Sequence, residues 1–209
     1  MEKIHTAEYA RHYCASHENP GEKYFRDYWN YLLINDLKTR DPRVESHLLD
    51  EGGGTCGIWK HLSFDNYTSV DVSEPMIAAA KNMHGGNAAN KYFVHGDIFS
   101  PMLWPGAYTA IVSCVMGVYY RPRAAHFARL YELLAPGGMM FCAIDRPLKL
   151  RHILADPFAD MIDRRARRYT RISQRRFLKL AEAAGFKLLT ATDWQPAPGW
   201  TRRGFILTK

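Results

Sequence analysis

The sequence predicts an α/β fold: a doubly wound, seven-stranded, mostly parallel sheet with an antiparallel edge strand, in three α/β/α layers. Three observations predict it. Apolar, strand-like runs alternate with helical patterns between residues 46 and 144, and such alternation implies parallel strands joined by crossover helices. The first run ends in Gly52, Gly53 and Gly54, which permit a tight strand-to-helix turn and let a ligand approach the backbone with no Cβ in the way. Two runs beyond residue 186 are separated only by a Pro- and Gly-rich stretch at 195–199, so they pair as a hairpin-like edge.

The elements follow in order. Residues 5–17 and 22–38 read as two helices divided by Asn19, Pro20 and Gly21, together forming an N-terminal helical lid over residues 1–40. The second helix carries Tyr24, Phe25, Tyr28, Trp29, Leu32, Leu33 and Leu37 at helical spacing. Strands are expected at 46–51, 66–71, 91–95, 109–115 and 139–144, with a short helix from Thr55. A helix over 73–84 has Ser73 as its N-cap and Pro75 in its first turn. Another spans 122–134, and Pro136, Gly137 and Gly138 turn the chain into the fifth strand. Residues 146–171 form an insert of helix-forming pieces broken at Pro157.

At 209 residues the chain reads as one domain with a full core. Its 47% apolar and 23% charged residues are an ordinary globular composition. There is no apolar run of the ~18 residues that a membrane span needs, and residues 1–20 lack the apolar core of a secretory signal. Cys14, Cys56, Cys114 and Cys142 form no CxxC pair, so a reduced, cytoplasmic protein without a membrane partner or a metal is expected. The basicity is local: residues 146–176 hold ten Lys or Arg against three Asp, which accounts for the whole net charge of +7.

Residues 52–57 satisfy GxGxxG literally, as a dinucleotide loop would. A dinucleotide, however, sets a pyrophosphate on the helix N-terminus, and here Asp50 and Glu51 immediately precede the glycines. Two carboxylates repel a pyrophosphate and suit a ligand carrying an ammonium and a sulfonium, as S-adenosylmethionine does. With that, LLDEGGGTCG resembles the first motif of class I S-adenosylmethionine-dependent methyltransferases, an acid followed by GxGxG. Asp50 takes the place of the acid and Gly52 and Gly54 those of the first two glycines; Cys56 stands at the third, with Gly57 one step later. Segments resembling the family's later motifs follow in register: VDVSEPMIAAAK, YFVHGDIF, AYTAIVSCVMGVYY and LYELLAPGGMMFCAID.

The resemblance implies a Rossmann-like methyltransferase fold and assigns roles. Asp71 binds the two ribose hydroxyls, with Met76 near the adenine and Val72 as a further cofactor-binding residue. Asp97 accepts from the adenine amino group, or alternatively caps the turn after Gly96. Ile98 packs on the ring, and Ser113 and Cys114 end the fourth strand beside the cofactor, Cys114 also reading as a buried free thiol. The acceptor pocket then lies where the fourth strand ends, under the lid and the insert. The family commonly carries a histidine there; this chain has Tyr119 and Tyr120, which with Asp145 are the candidates for proton transfer. Asp145 could instead pair with Arg146. Tyr24 and Tyr28, like Tyr9 and Tyr13, either close over the site or pack between helices; Trp29 reads as core, and His12 and His17 as exposed helix residues.

Arg164 and Arg168, within RRARR, either form a solvated helix face paired with Asp160 and Asp163 or bind an anionic acceptor bidentately. The expected function is methyl transfer to O, N, S or C of a small, anionic metabolite, by a monomer or homodimer. The basic run is short and lacks an RNA-binding module, which argues against a nucleic-acid partner. Alternatives are an RNA or protein methyltransferase docking through the insert, a cyclase or aminocarboxypropyl transferase using the same cofactor, and a dinucleotide enzyme.

Overall fold

The structure is a computed structural model, and it describes residues 6–8, 10, 46–55, 64–87, 89–113, 123–145, 172–197 and 200–209. The expected lid, the insert at 146–171 and the helix from Thr55 fall outside these residues, apart from a few near Ala10 and the first residues of the glycine loop. The described elements run β1 (His47–Glu51), β2 (Asn66–Asp71), α1 (Glu74–His84), β3 (Lys91–His95), β4 (Tyr108–Ser113), α2 (Ala124–Leu133), β5 (Leu134–Asp145), α3 (Gln174–Ala183), β6 (Lys187–Ala197) and β7 (Trp200–Thr208).

The seven strands form one sheet in the order β3-β2-β1-β4-β5-β7-β6. β1 to β5 pair in parallel, and β7 runs antiparallel between β5 and the outermost β6. This is the expected hairpin, drawn tighter: Ala197 pairs with Trp200, so strand pairing continues into the stretch read as a loop. β5 also begins earlier than expected. Leu134 already pairs with Tyr108, and Pro136, Gly137 and Gly138 lie within the register shift before Met139 meets Ala110. Gly137 has φ +74, and a Cβ on Gly138 would come within 2.9 Å of the Ala135 carbonyl, so this irregularity depends on glycine.

Strand alternation sorts the two faces. Leu49, Val70, Val94, Ile111, Met140 and Cys142 face α2 and α3 in one core cluster. At its centre Phe127 of α2 meets Phe177 of α3 edge-on at 5.1 Å, and Phe177 stacks on Phe205 of β7 at 5.0 Å. The opposite face carries α1, whose His84 stacks on Phe93 of β3. Helices on both faces complete the three layers. From β1 the chain builds outward through β2 and β3, then crosses back to β4 and β5. β1 and β4 therefore flank the point where the strand order reverses, and in sheets of this kind ligands bind in a crevice beyond the carboxyl ends of those two strands.

Candidate active site

The glycine loop hangs between β1 and the start of α1. Gly52 has φ +66 and donates to the Val70 carbonyl at 2.8 Å; Gly54 has φ +55 and donates to Asp71 Oδ2 at 2.9 Å. Asp71 Oδ1 accepts from the Ser73 amide at 2.8 Å. One carboxylate at the end of β2 thus ties the loop to the N-terminus of α1. A carboxylate oxygen can accept two hydrogen bonds, which suits the ribose hydroxyls assigned to Asp71. Ser73 caps α1 through its backbone carbonyl, which accepts from Ile77, rather than through its hydroxyl.

Asp50 and Glu51 point to opposite faces of the sheet. Asp50 is 1% exposed on the α1 face, beneath the glycine loop, and Tyr67 Oη donates to its Oδ2 at 2.6 Å. Burial pushes its carboxyl up to about 7; the Tyr67 hydrogen bond opposes this, and the charges of Asp71 and Glu51 add to it. Glu51 is buried on the α2 face, its Oε1 2.9 Å from Nε2 of His126 in the first turn of α2. Its register partner on β4 is Ser113, whose buried hydroxyl finds no hydrogen-bond partner among the described residues. The expectation of two acids presented together to a cationic ligand is therefore corrected. Both carboxylates are buried, Asp50 against Tyr67 and Glu51 against His126.

The end of β3 supplies the other half of the crevice. The Gly96 amide donates to the Asp71 carbonyl at 2.9 Å, holding the two strand ends together. Asp97 Oδ1 accepts from the Phe99 amide at 2.9 Å, so the residue does cap its turn. It stays exposed, and its Oδ2 makes no hydrogen bond among the described residues. Ile98 does not face a ring: it is 2% exposed and belongs to the main core. Met76 is likewise buried, within α1. The apolar surface at these strand ends comes from Val72, 56% exposed, and from Phe99, 53% exposed and not singled out in the sequence.

Of the acceptor-side candidates, Cys114, Tyr119, Tyr120, Tyr24, Tyr28, Arg164 and Arg168 lie outside the described residues. Asp145 ends β5 in register with Arg202 of β7. His126 was missed because its relation to Glu51 spans 75 positions and no local pattern announces it.

These groups fit a nucleoside with a cationic tail. Carboxylates stand at the ends of β2 and β3 for hydroxyls and an amino group, and Val72 and Phe99 offer apolar surface for a base. Residues 50–55 and 71–76 contain no Lys or Arg to meet a pyrophosphate. A family model described as a methyltransferase domain matches residues 48–138. No curated protein matches the chain in sequence. Among solved structures, an S-adenosylmethionine-dependent methyltransferase from Mesorhizobium loti aligns with a TM-score of 0.62 at 15% identity, over 85% of this chain and 97% of that one. A second, from Leishmania major, aligns with a TM-score of 0.65 at 16% identity, over 87% and 72%. Phosphoethanolamine N-methyltransferase 2 from Haemonchus contortus, in complex with S-adenosyl-L-methionine, aligns with a TM-score of 0.65 at 15% identity, over 86% and 51%. Over residues 48–138 the chain thus matches a methyltransferase domain, set in a fold shared with S-adenosylmethionine-dependent methyltransferases.

Proposed function

We propose that the protein transfers the methyl group of S-adenosylmethionine to a small, anionic metabolite. The observation that carries this reading is the junction at Asp71, where one carboxylate fixes both the glycine loop and the start of α1 at the mouth of the crevice. S-adenosylmethionine supplies a methyl group on a sulfonium, already activated for displacement. The protein's contribution is then mainly alignment, for which effective molarity supplies about 7–11 kcal/mol of the barrier. Asp71 orients the ribose, Asp97 the adenine amino group, and Val72 with Phe99 covers the base. A base is needed only for an acceptor protonated at neutral pH, and Tyr119, Tyr120 and Asp145 are the groups we assign to that task. Tyr24 and Tyr28 line the acceptor pocket in this reading.

An anionic acceptor is supported by the Arg-rich insert, in which Arg164 and Arg168 offer bidentate donors. One structural neighbour is a phosphoethanolamine methyltransferase, and that substrate is both small and anionic. The test is to incubate the protein with S-adenosylmethionine and a panel of small carboxylates and phosphates, following both acceptor and cofactor products. S-adenosylhomocysteine with a methylated acceptor is the expected outcome. Methylthioadenosine would point instead to aminocarboxypropyl transfer, and tight binding of NAD in calorimetry would overturn the cofactor assignment. Activity on RNA with a steep salt dependence would replace the metabolite by a nucleic acid.

A further inference from the structure

We infer that Arg129 is a positioning residue for the nucleoside end of the cofactor site, an inference that rests on the cofactor reading above. Residues 96–107 link β3 to β4 without helix or strand, and a connection of this length is ordered only when its backbone polar groups find partners. Local turns satisfy part of it: Ser100 donates to the Asp97 carbonyl at 3.0 Å and Leu103 to the Ser100 carbonyl at 3.1 Å. The carbonyls of Ile98 and Leu103, two residues whose side chains are buried in the core, are met from α2. Arg129 Nε donates to Ile98 O at 3.1 Å and Nη2 to Leu103 O at 2.7 Å, while Nη1 donates to Glu132 Oε2 at 2.8 Å. The Glu132 carbonyl adds a third tether, accepting from the Gly106 amide at 2.9 Å.

The planar guanidinium reaches both loop carbonyls at once, which a lysine ammonium on its single stem does not reproduce. Ile98 lies between Asp97 and Phe99, so its carbonyl sets where both of those residues sit. His126, three positions earlier on the same face of α2, reaches Glu51 beside the glycine loop. One helix face therefore holds both the end of β1, from which the glycine loop departs, through His126, and the loop carrying Asp97 and Phe99 through Arg129. Among the described residues the hydrogen bonds of Arg129 go to these two carbonyls and to Glu132, so it acts on the crevice through the loop backbone.

The test compares the parent protein with Arg129→Gln and Arg129→Lys. Affinity for S-adenosylhomocysteine is measured by calorimetry well below the unfolding temperature, and KM for S-adenosylmethionine and kcat are measured with any acceptor found active. Arg129→Gln should weaken S-adenosylhomocysteine and raise KM about tenfold, with kcat at saturating cofactor within about twofold of the parent. Arg129→Lys should fall between, and it carries the test if the glutamine variant does not fold. A lowered unfolding temperature with unchanged affinity in either folded variant would reduce Arg129 to a stability residue and overturn the inference. So would a fall in kcat with KM unchanged. Failure of the parent protein to bind S-adenosylhomocysteine would refute the cofactor reading instead, so the two failures are told apart.

Discussion

Asp50→Asn should stabilise the protein increasingly as pH rises from acid to mildly alkaline. The Asp50 carboxyl sits under the glycine loop at 1% exposure, with the Tyr67 hydroxyl as its hydrogen-bond donor. Burial is the main cause that moves its pKa from 3.8 to about 7. Below the unfolded-state value both states hold the proton, and the group imposes no penalty. Between the two values the native state keeps a proton that the unfolded chain has released. Stability therefore falls with rising pH by about 1.4 kcal/mol per pH unit, and the loss levels off above the folded-state value at about 4 kcal/mol. Asparagine has no such proton, and its carbonyl oxygen still accepts from Tyr67. The advantage of the variant in unfolding free energy should thus grow by about 2.5 kcal/mol between about pH 5 and pH 8. Urea unfolding of both proteins across that range, followed by tryptophan fluorescence, measures it. Parallel stability curves would mean that Asp50 is ionised in the native state throughout, and would refute the reasoning.

The same proton links pH to the cofactor. A bound sulfonium and ammonium favour the ionised carboxylate, so affinity for S-adenosylmethionine should rise from about pH 6 to pH 8 and proton release should accompany binding. Calorimetry in buffers of different ionisation enthalpy detects this release, and Asp50→Asn should abolish it. Asp71→Asn should cost tenfold or more in affinity for S-adenosylhomocysteine, since an amide NH2 faces either the Gly54 or the Ser73 amide without accepting from it. Near-parental binding by a folded variant would remove Asp71 from the ribose. Replacing His126 alone by Leu removes a 2.9 Å partner from the buried Glu51 carboxylate and should cost about 3 kcal/mol in chemical denaturation. The double change Glu51→Leu with His126→Leu should recover most of it, because an apolar pair fills the same core layer.

Much of this fold is legible in the sequence because its cues are local. The strands at 66–71 and 91–95 occupy the expected residues, and the helix after Ser73 and the terminal hairpin come close to expectation. Asp71 is legible for the same reason, since a charged side chain ending an apolar strand has to find polar partners beyond the sheet. The misreadings come from geometry that spacing does not encode. Asp50 and Glu51 are adjacent in sequence, but the two-residue period of a strand sends them to opposite faces, so adding their charges overstated what the ligand meets. Ile98 and Phe99 are both apolar and sit side by side, yet Ile98 turns into the core and Phe99 out to solvent, and the Arg129 that meets the Ile98 carbonyl is 31 positions away. His126 and Arg129 look like ordinary polar residues of an amphipathic helix, and only the crossing of α2 under the crevice reveals what they hold. At Pro136–Gly138 the turn residues keep their local chemistry as an irregularity inside β5, with Gly137 left-handed, and at Ala197 pairing resumes with Trp200 inside the stretch read as a loop.

The middle glycine of the loop shows how interdependent these positions are. A Cβ on Gly53 would lie 2.3 Å from Ser69 Oγ and 2.8 Å from Asp50 Oδ2. Its neighbours Gly52 and Gly54 need glycine for their left-handed backbone, which no change elsewhere relieves. Gly53 needs it only because two particular side chains occupy the space below. The restriction is thus conditional, and the order of substitutions matters. Trimming Ser69 first removes the shorter of the two contacts and leaves the Asp50 carboxylate, held by the Tyr67 hydroxyl, as the remaining obstacle to alanine at position 53. In the reverse order the loop is forced off its bed before any room exists. Divergence at the centre of this loop therefore begins below it, at the buried Ser69 of β2 and Asp50 of β1.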